Sequence, residues 1–201
     1  MSFFVVDQTK LVRGAGRMLI APSTQAKPAT LGDVIDLTTL APKTGWTDLG
    51  ATTQGISINV NNTETAFDVD QVNGPLNTVP DVWSCNVTTQ LAQFDVDHMI
   101  IAWDGAAKTT DTTPTIPEVE TGFAGQTHYT ERRLAIMFKD FESNIWGFFF
   151  HRAVRSPVQS SVQFQKTGAE MTIPIDLNIL ADATETDPVK QFFRVRVQQP
   201  V

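Results

Sequence analysis

GISINVNNTETAFDVDQ, residues 55–71, decides how this chain is read. Ile56, Ile58 and Val60 alternate with Ser57 and Asn59, and after two asparagines Thr65, Phe67 and Val69 alternate with Ala66 and Asp68. A period of two sends successive side chains to opposite faces of a strand, so both halves read as half-buried strands. Asn61-Asn62 suits a two-residue turn because Asn tolerates the positive φ that such turns need. The expectation is a hairpin with Ile58 opposite Thr65 and Ile56 opposite Phe67. Ser57–Ala66, Asn59–Glu64 and Gly55–Asp68 would then share the other, polar face.

The same period recurs along the chain. RGAGRMLIAP (13–22) opens as a strand. Further alternating runs are WSCNVTTQL (83–91), THYTERRLAIMFKD (127–140), WGFFFHRAV (146–154), SVQFQ (161–165), EMTIPIDLNIL (170–180) and QFFRVRVQ (191–198). Trp83, Cys85, Val87 and Leu91 are expected inward on one of these; Met171, Ile173, Ile175, Leu177 and Ile179 on another. Only FDVDHMIIAWDG (94–105) lacks the alternation. Asp95 is placed to cap a short helix there, with Phe94, Met99, Ile100 and Trp103 near one face. The fold class is therefore mainly β, a sandwich or barrel with one short flanking helix over 94–104.

With 201 residues, 41% hydrophobic and 18% charged, the chain is long enough to bury a substantial core and fits one domain of the larger all-β kind. It divides into an N-terminal arm (1–12), two long Thr/Pro/Gly-rich loops (22–45 and 105–126) and a C-terminal strand or arm (189–201). The opening MSFFVVDQ lacks the basic region and cleavage site of a secretory signal. MIIAW and IWGFFF are too short to span a bilayer. Cys85 is the only cysteine, so no intrachain disulfide forms, and a buried structural thiol is expected.

Net charge is −7, and its distribution matters more than its sum. No Lys or Arg occurs between Lys43 and Lys108, although Asp48, Glu64, Asp68, Asp70, Asp81, Asp95, Asp97 and Asp104 all do. Binding to a phosphate backbone depends on cations that displace condensed counterions, so a surface built from this stretch repels nucleic acid.

Asp-Val-Asp appears twice, at 68–70 and 95–97, and paired carboxylates can share a divalent cation. Here the first copy continues a polar strand face through Glu64, and in the second Asp95 serves the helix. Both read as wall and not as metal sites. His98, His128 and His151 have no ligand spacing, and His98 reads as a packed or surface residue. Gly14-Ala15-Gly16-Arg17 precedes a strand and makes a poor phosphate cradle. No Walker loop or nucleophile elbow is present. Catalytic residues, metals and cofactors are therefore not expected. Trp83, Trp103 and Trp146 take core-facing positions, whereas Trp46, in a loop context, is a candidate contact residue. What remains to be explained is apolar residues near both ends, Phe3, Phe4, Val5 and Val6, then Phe192 and Phe193. Arms and sheet edges of this kind are controlled by symmetric self-assembly.

In the order of its elements the chain resembles the major tail tube proteins of long-tailed bacteriophages. The resemblance is carried by GRMLIAP (16–22), GWTDLGATTQGISINV (45–60), ETAFDVDQVNGPL (64–76), TTQLAQFDVDHMIIAWDG (88–105) and WGFFFHRAV…SVQFQKTGAEMTIPIDLNIL (146–180). It implies a tail tube fold that forms hexameric rings, stacked through loops and arms into a conduit for genome ejection. The implied partners are further copies of the chain, a tape measure protein, terminator and baseplate proteins, and DNA in transient passage, with no membrane insertion. The implied location is the virion tail, assembled in the host cytoplasm. Six copies at −7 each give −42 per ring, in keeping with an acidic lumen. Glu64, Asp68 and Asp70 become lumen-lining residues; Phe3, Phe4, Trp46, Phe192, Arg194 and Arg196 become subunit or ring contacts. Loops 22–45 and 105–126 become inter-ring or outer-surface loops, the second being either decoration or a contact to a sheath protein. The alternatives are a receptor- or carbohydrate-binding β-sandwich module of the virion, a tube of a contractile secretion machine, and a metal-dependent enzyme using the paired aspartates.

Overall fold

The computed structural model describes residues 16–67, 77–123, 127–140, 142–157 and 171–198. The strands are β1 (Arg17–Pro22), β2 (Thr47–Asp48), β3 (Thr52–Phe67), β4 (Asn77–Leu91), β5 (Thr109–Asp111), β6 (Glu118–Glu120), β7 (Arg132–Lys139), β8 (Ile145–Arg155), β9 (Ile173–Ile179) and β10 (Phe193–Gln198). One α-helix, α1 (Val96–Trp103), joins β4 to β5. All but β5 and β6 belong to one antiparallel sheet of order β2-β1-β7-β8-β9-β4-β3, with β10 on β8. The mainly β expectation holds. SVQFQ (161–165) lies outside the described residues.

The opening hairpin is not formed as expected. β3 runs straight through Asn61-Asn62, which lie opposite Ser84 and Trp83 of β4, and Ile58 faces Val87 instead of Thr65. Nothing forbids Asn in a strand whose side chains are solvated. The long β4 supplies a continuous partner that a two-residue turn would forfeit. The consequence is a change of faces. On a single strand Glu64 shares the face of Ile58, Val60 and Asn62, while Ser57, Asn59, Asn61 and Thr63 share the other. The amide of Asn62 accordingly donates to Glu64 across that one face, at 3.3 Å.

The sheet curls. Gly16, at the start of β1, and Ile56 of β3 are separated by five strand steps, which in a flat sheet would be about 24 Å. Yet a methyl group at Gly16 would lie 3.4 Å from Ile56 Cδ1. Inside the curl sits the main core: Met18 and Ile20, Leu134 and Ile136, Phe150, Cys85, Val87 and Leu91, and the alternate residues of β9 from Ile173 to Ile179. α1 closes one side of it. Asp95 caps the helix by accepting from the His98 backbone N–H at 2.8 Å, as expected. The packed face holds Phe94, His98, Met99, Ile101, Ala102 and Trp103. Ile101, not Ile100, belongs to it, because i, i+4 and i+7 from Phe94 reach His98 and Ile101.

A second core lies on the outer side of β1, β7 and β8. Leu19, Ala21, Ala135, Met137, Ile145 and Phe149 are covered there by Leu31, Val34, Ile35 and Trp46. Residues 22–46 are thus a packed cover rather than a projecting loop. Its approach is close enough that a Cβ at Gly147 would fall 2.5 Å from Leu31 and 2.9 Å from Met137 Sδ. Any larger residue at that point of β8 would force the Leu31 and Met137 side chains to shift. Residues 105–126, read as irregular, contain the exposed hairpin β5–β6.

Candidate assembly surfaces

β4 pairs with β9 only from Cys85 to Leu91, but with β3 as far out as Asn77. Beyond Cys85 the pair therefore continues as a two-stranded ribbon. Among the described residues neither the outer edge of β3 nor the second edge of outer β4 has a strand partner. A two-stranded ribbon is at best marginal alone in water. Val60, Val82 and Trp83 are exposed on it. Trp83 was expected in the core. It does face the inner side beside Val60 and Cys85, but it lies past the last β9 pair, Cys85 with Ile179, and remains 51% exposed.

The outer side of the sheet has two halves. Over β1, β7 and β8 it is covered by residues 22–46; over β9, β4 and β3 it is a polar face. Registers Asn59–Asn86–Asn178 and Ser57–Thr88–Asp176 run across it, joined by Asn61–Ser84. Ser57, Asn59, Asn61, Thr63 and Ser84 are exposed. Asp176 is the one charged residue of these registers, and none is a cation.

The sequence-derived site residues separate on this framework. Glu64 is exposed near the outer end of the ribbon, on the face of Val60. Asp68, Asp70, Phe3 and Phe4 lie outside the described residues. Trp46 is corrected from contact residue to core: it is 6% exposed, because the second face of β1 and β7 needs an aromatic cover. Phe192 and Phe193 are not bare ends, since both pack against the main core, Phe193 with Phe148 and Phe150. Arg194 pairs within the chain with Glu185, whose carboxyl that hydrogen bond holds below the usual range. Arg196, opposite Gly147, is exposed.

The second Asp-Val-Asp is fully employed. Asp95 caps α1 and approaches His98 Nδ1 at 2.8 Å, and Asp97 binds Lys108 at 2.6 Å. Cys85 is buried, and desolvation pushes its thiol up to about 11, which leaves it protonated and unreactive at neutral pH. Among the described residues no three His, Cys, Asp or Glu side chains are grouped to hold a metal, and no helix is long and apolar enough to cross a membrane.

Sequence reasoning missed the loop 180–192, which a set of ion pairs fastens to the sheet. Lys27 pairs with the buried Asp182, which also accepts from Thr184. Burial alone would raise the Asp182 pKa, but these bonds overcome it and hold the carboxyl low. Asp187 caps the 3-10 turn Pro188–Lys190 through the Val189 N–H. Asp182, Glu185 and Asp187 with alternate polar neighbours are the only signal, and it is indistinguishable in sequence from a solvated loop.

The sequence that builds this sheet is matched over residues 6–193 by the model of a family described as phage tail tube protein. The chain belongs to the phage tail tube protein family. A search of curated proteins finds no match. Members of the family are structural components of the virion tail, which implies that the chain assembles with copies of itself and with other tail proteins.

Proposed function

We propose that six copies of this chain close into a ring, that rings stack into the tail tube, and that the β3–β4–β9 face lines a channel through which DNA leaves the virion. The observation that carries this reading is the 16-residue strand β3, whose outer edge is unpartnered among the described residues and which sits beside a face where none of the described residues is a cation. A bare edge of that length invites pairing with another chain. A head-to-tail contact of identical copies that closes makes a ring, and β3 of one copy beside a sheet edge of the next would extend the sheet around it. The polar face gives phosphates no ammonium or guanidinium to hold them.

In this reading Glu64, on the other side of the ribbon from the polar face, adds to the negative field of the channel wall, and Asp68 and Asp70, outside the described residues, are proposed to do the same. Arg196 faces a neighbouring copy. The β5–β6 hairpin, which carries Asp111, Glu118 and Glu120 and the exposed Ile116, projects as an inter-ring or outer-surface element. The tape measure protein would occupy the channel before DNA does, terminator and baseplate proteins would cap the ends, and assembly would take place in the host cytoplasm.

Negative-stain microscopy with native mass measurement tests the reading. Rings of six, or hollow filaments built from them, are expected. Dispersed single chains at the highest soluble concentration, with residues 1–15 present or removed, would overturn it.

A further inference from the structure

Beside the root of the ribbon lies a groove of about 530 Å³. Val60, Trp83 and Cys85 form one wall, and Val189, Phe192 and Phe193 the other. Its second wall is rigidly built, because Asp187 caps the 3-10 turn and the Lys27–Asp182 and Glu185–Arg194 pairs fasten the loop that carries it. Val189 is 87% exposed and Trp83 is 51% exposed, so the groove is open to solvent among the described residues. These six lining residues carry no charge, and an apolar occupant fits them. A patch of this kind left bare on a free chain would promote association.

We propose that the segment preceding Gly16 fills this groove in its own chain, through Phe3, Phe4, Val5 and Val6, while the protein is unassembled. Three observations select that occupant. Of all residues outside the described ones, only Phe3–Val6 form a run of four consecutive apolar side chains. The groove is of the size that buries a compact apolar ligand, about 300–1,000 Å³. The reach also suffices. Gly16 lies against Ile56, and Val60 is four residues farther along β3, about 13 Å away. The ten residues from Val6 to Gly16 span up to about 33 Å when extended. The seated segment covers Trp83 and the inner side of the ribbon, and its departure uncovers them for a neighbouring copy. Unassembled chains are thereby held back from pairing through the ribbon.

Val189 anchors the test, since it lines the groove and is 87% exposed, while Cys85, the only native cysteine, is buried and is replaced by Ala. Full-length protein carrying Phe4→Cys, Val189→Cys and Cys85→Ala, diluted until monomeric, is oxidised with copper phenanthroline and the products are resolved by mass and non-reducing gel. An intramolecular disulfide is expected, forming at least about tenfold faster than in the same variant with Phe3, Val5 and Val6 changed to Ser, because seating raises the effective concentration above that of the tether alone. As a second measurement, acrylamide quenching assigned to Trp83 by difference from Trp83→Phe should rise when Phe3, Phe4, Val5 and Val6 are all changed to Ser. Equal closure rates, no closure, or unchanged quenching would each overturn the proposal. Covalent dimers as the main product would also do so, by making a second copy the occupant. These readings are taken on the free chain and stand whether or not rings form, so failure of the tube reading and failure of this one are separate results.

Discussion

His151 lies on β8 with 1% of its surface exposed, and neither ring nitrogen has a hydrogen-bonding partner among the described residues. Burial is the main reason its pKa is lowered, and the nearby Arg194 and Lys27 lower it further against the opposing Asp182 and Glu185. A depressed histidine pKa means that the unfolded chain takes up the proton first. Above the unfolded value, about 6.5, both states are neutral and the group costs nothing. As pH falls below that value the unfolded state is favoured, and stability is lost until the folded imidazole also titrates. Urea unfolding between pH 7.5 and 5 should therefore show a falling midpoint. His151→Leu, which fills the site without a titrating ring, should flatten the fall and be at least as stable as the native chain at the acid end. An undiminished slope in that variant would assign the loss to other groups.

The elements differ in how independent they are of the sheet, and β5–β6 is the most independent. All six of its strand residues are exposed, and its base is closed by the Ala106 N–H donating to Gly122 O at 2.8 Å. Phe123 then locks onto Trp103 edge to face at 5.4 Å. Excising 108–120 and joining the ends through two glycines removes the Lys108–Asp97 surface pair and little else. The thermal midpoint should shift by no more than about 1 kcal/mol of stability would produce, the usual limit for an exposed ion pair. A cooperative loss of fold would show that the hairpin supports α1. The contrast with β3 explains what could be read from the residues alone. α1 was legible because its signals are local: Asp95 caps it, and apolar residues recur at helical spacing. The inward faces of β3, β4 and β9 were legible because alternation survives whichever strand is the partner. The Asn61-Asn62 turn was misread because its true competitor, β4, lies on the other side of nine residues and leaves no mark within 55–71. Trp46 was misread for a related reason. Burial of a loop residue depends on whether a distant sheet has a second apolar face, and the evidence for that face was in the unbroken apolar runs Met18–Ala21 and Leu134–Met137.

At the scale of the whole molecule, charge is separated from surface in a way that bears on the tube. The chain carries an excess of seven negative charges, yet its bare sheet face is built mainly of amides and hydroxyls, with only Asp176 charged in its central registers. Repulsion of DNA would thus come from the summed field of the assembly, while the face itself simply lacks anything that grips. Asn59 and Asn61 are exposed, point to that face and pair with Asn86 and Ser84, so lysines there meet no neighbour they must displace. The double substitution Asn59→Lys with Asn61→Lys should leave the thermal midpoint close to native. It should also convert the protein, as assembled particles, from a non-binder into a salt-sensitive binder of short duplex DNA. Each phosphate neutralised adds about −0.9 to the slope of log K against log salt, so a multi-copy ring should give a steep dependence. Fluorescence anisotropy across a salt series measures this directly. If the lysine particles ignore DNA, or the native particles already bind it, the β3–β4–β9 face does not line the channel. The pore wall would then have to be sought on the inner side of the ribbon, where Glu64 lies.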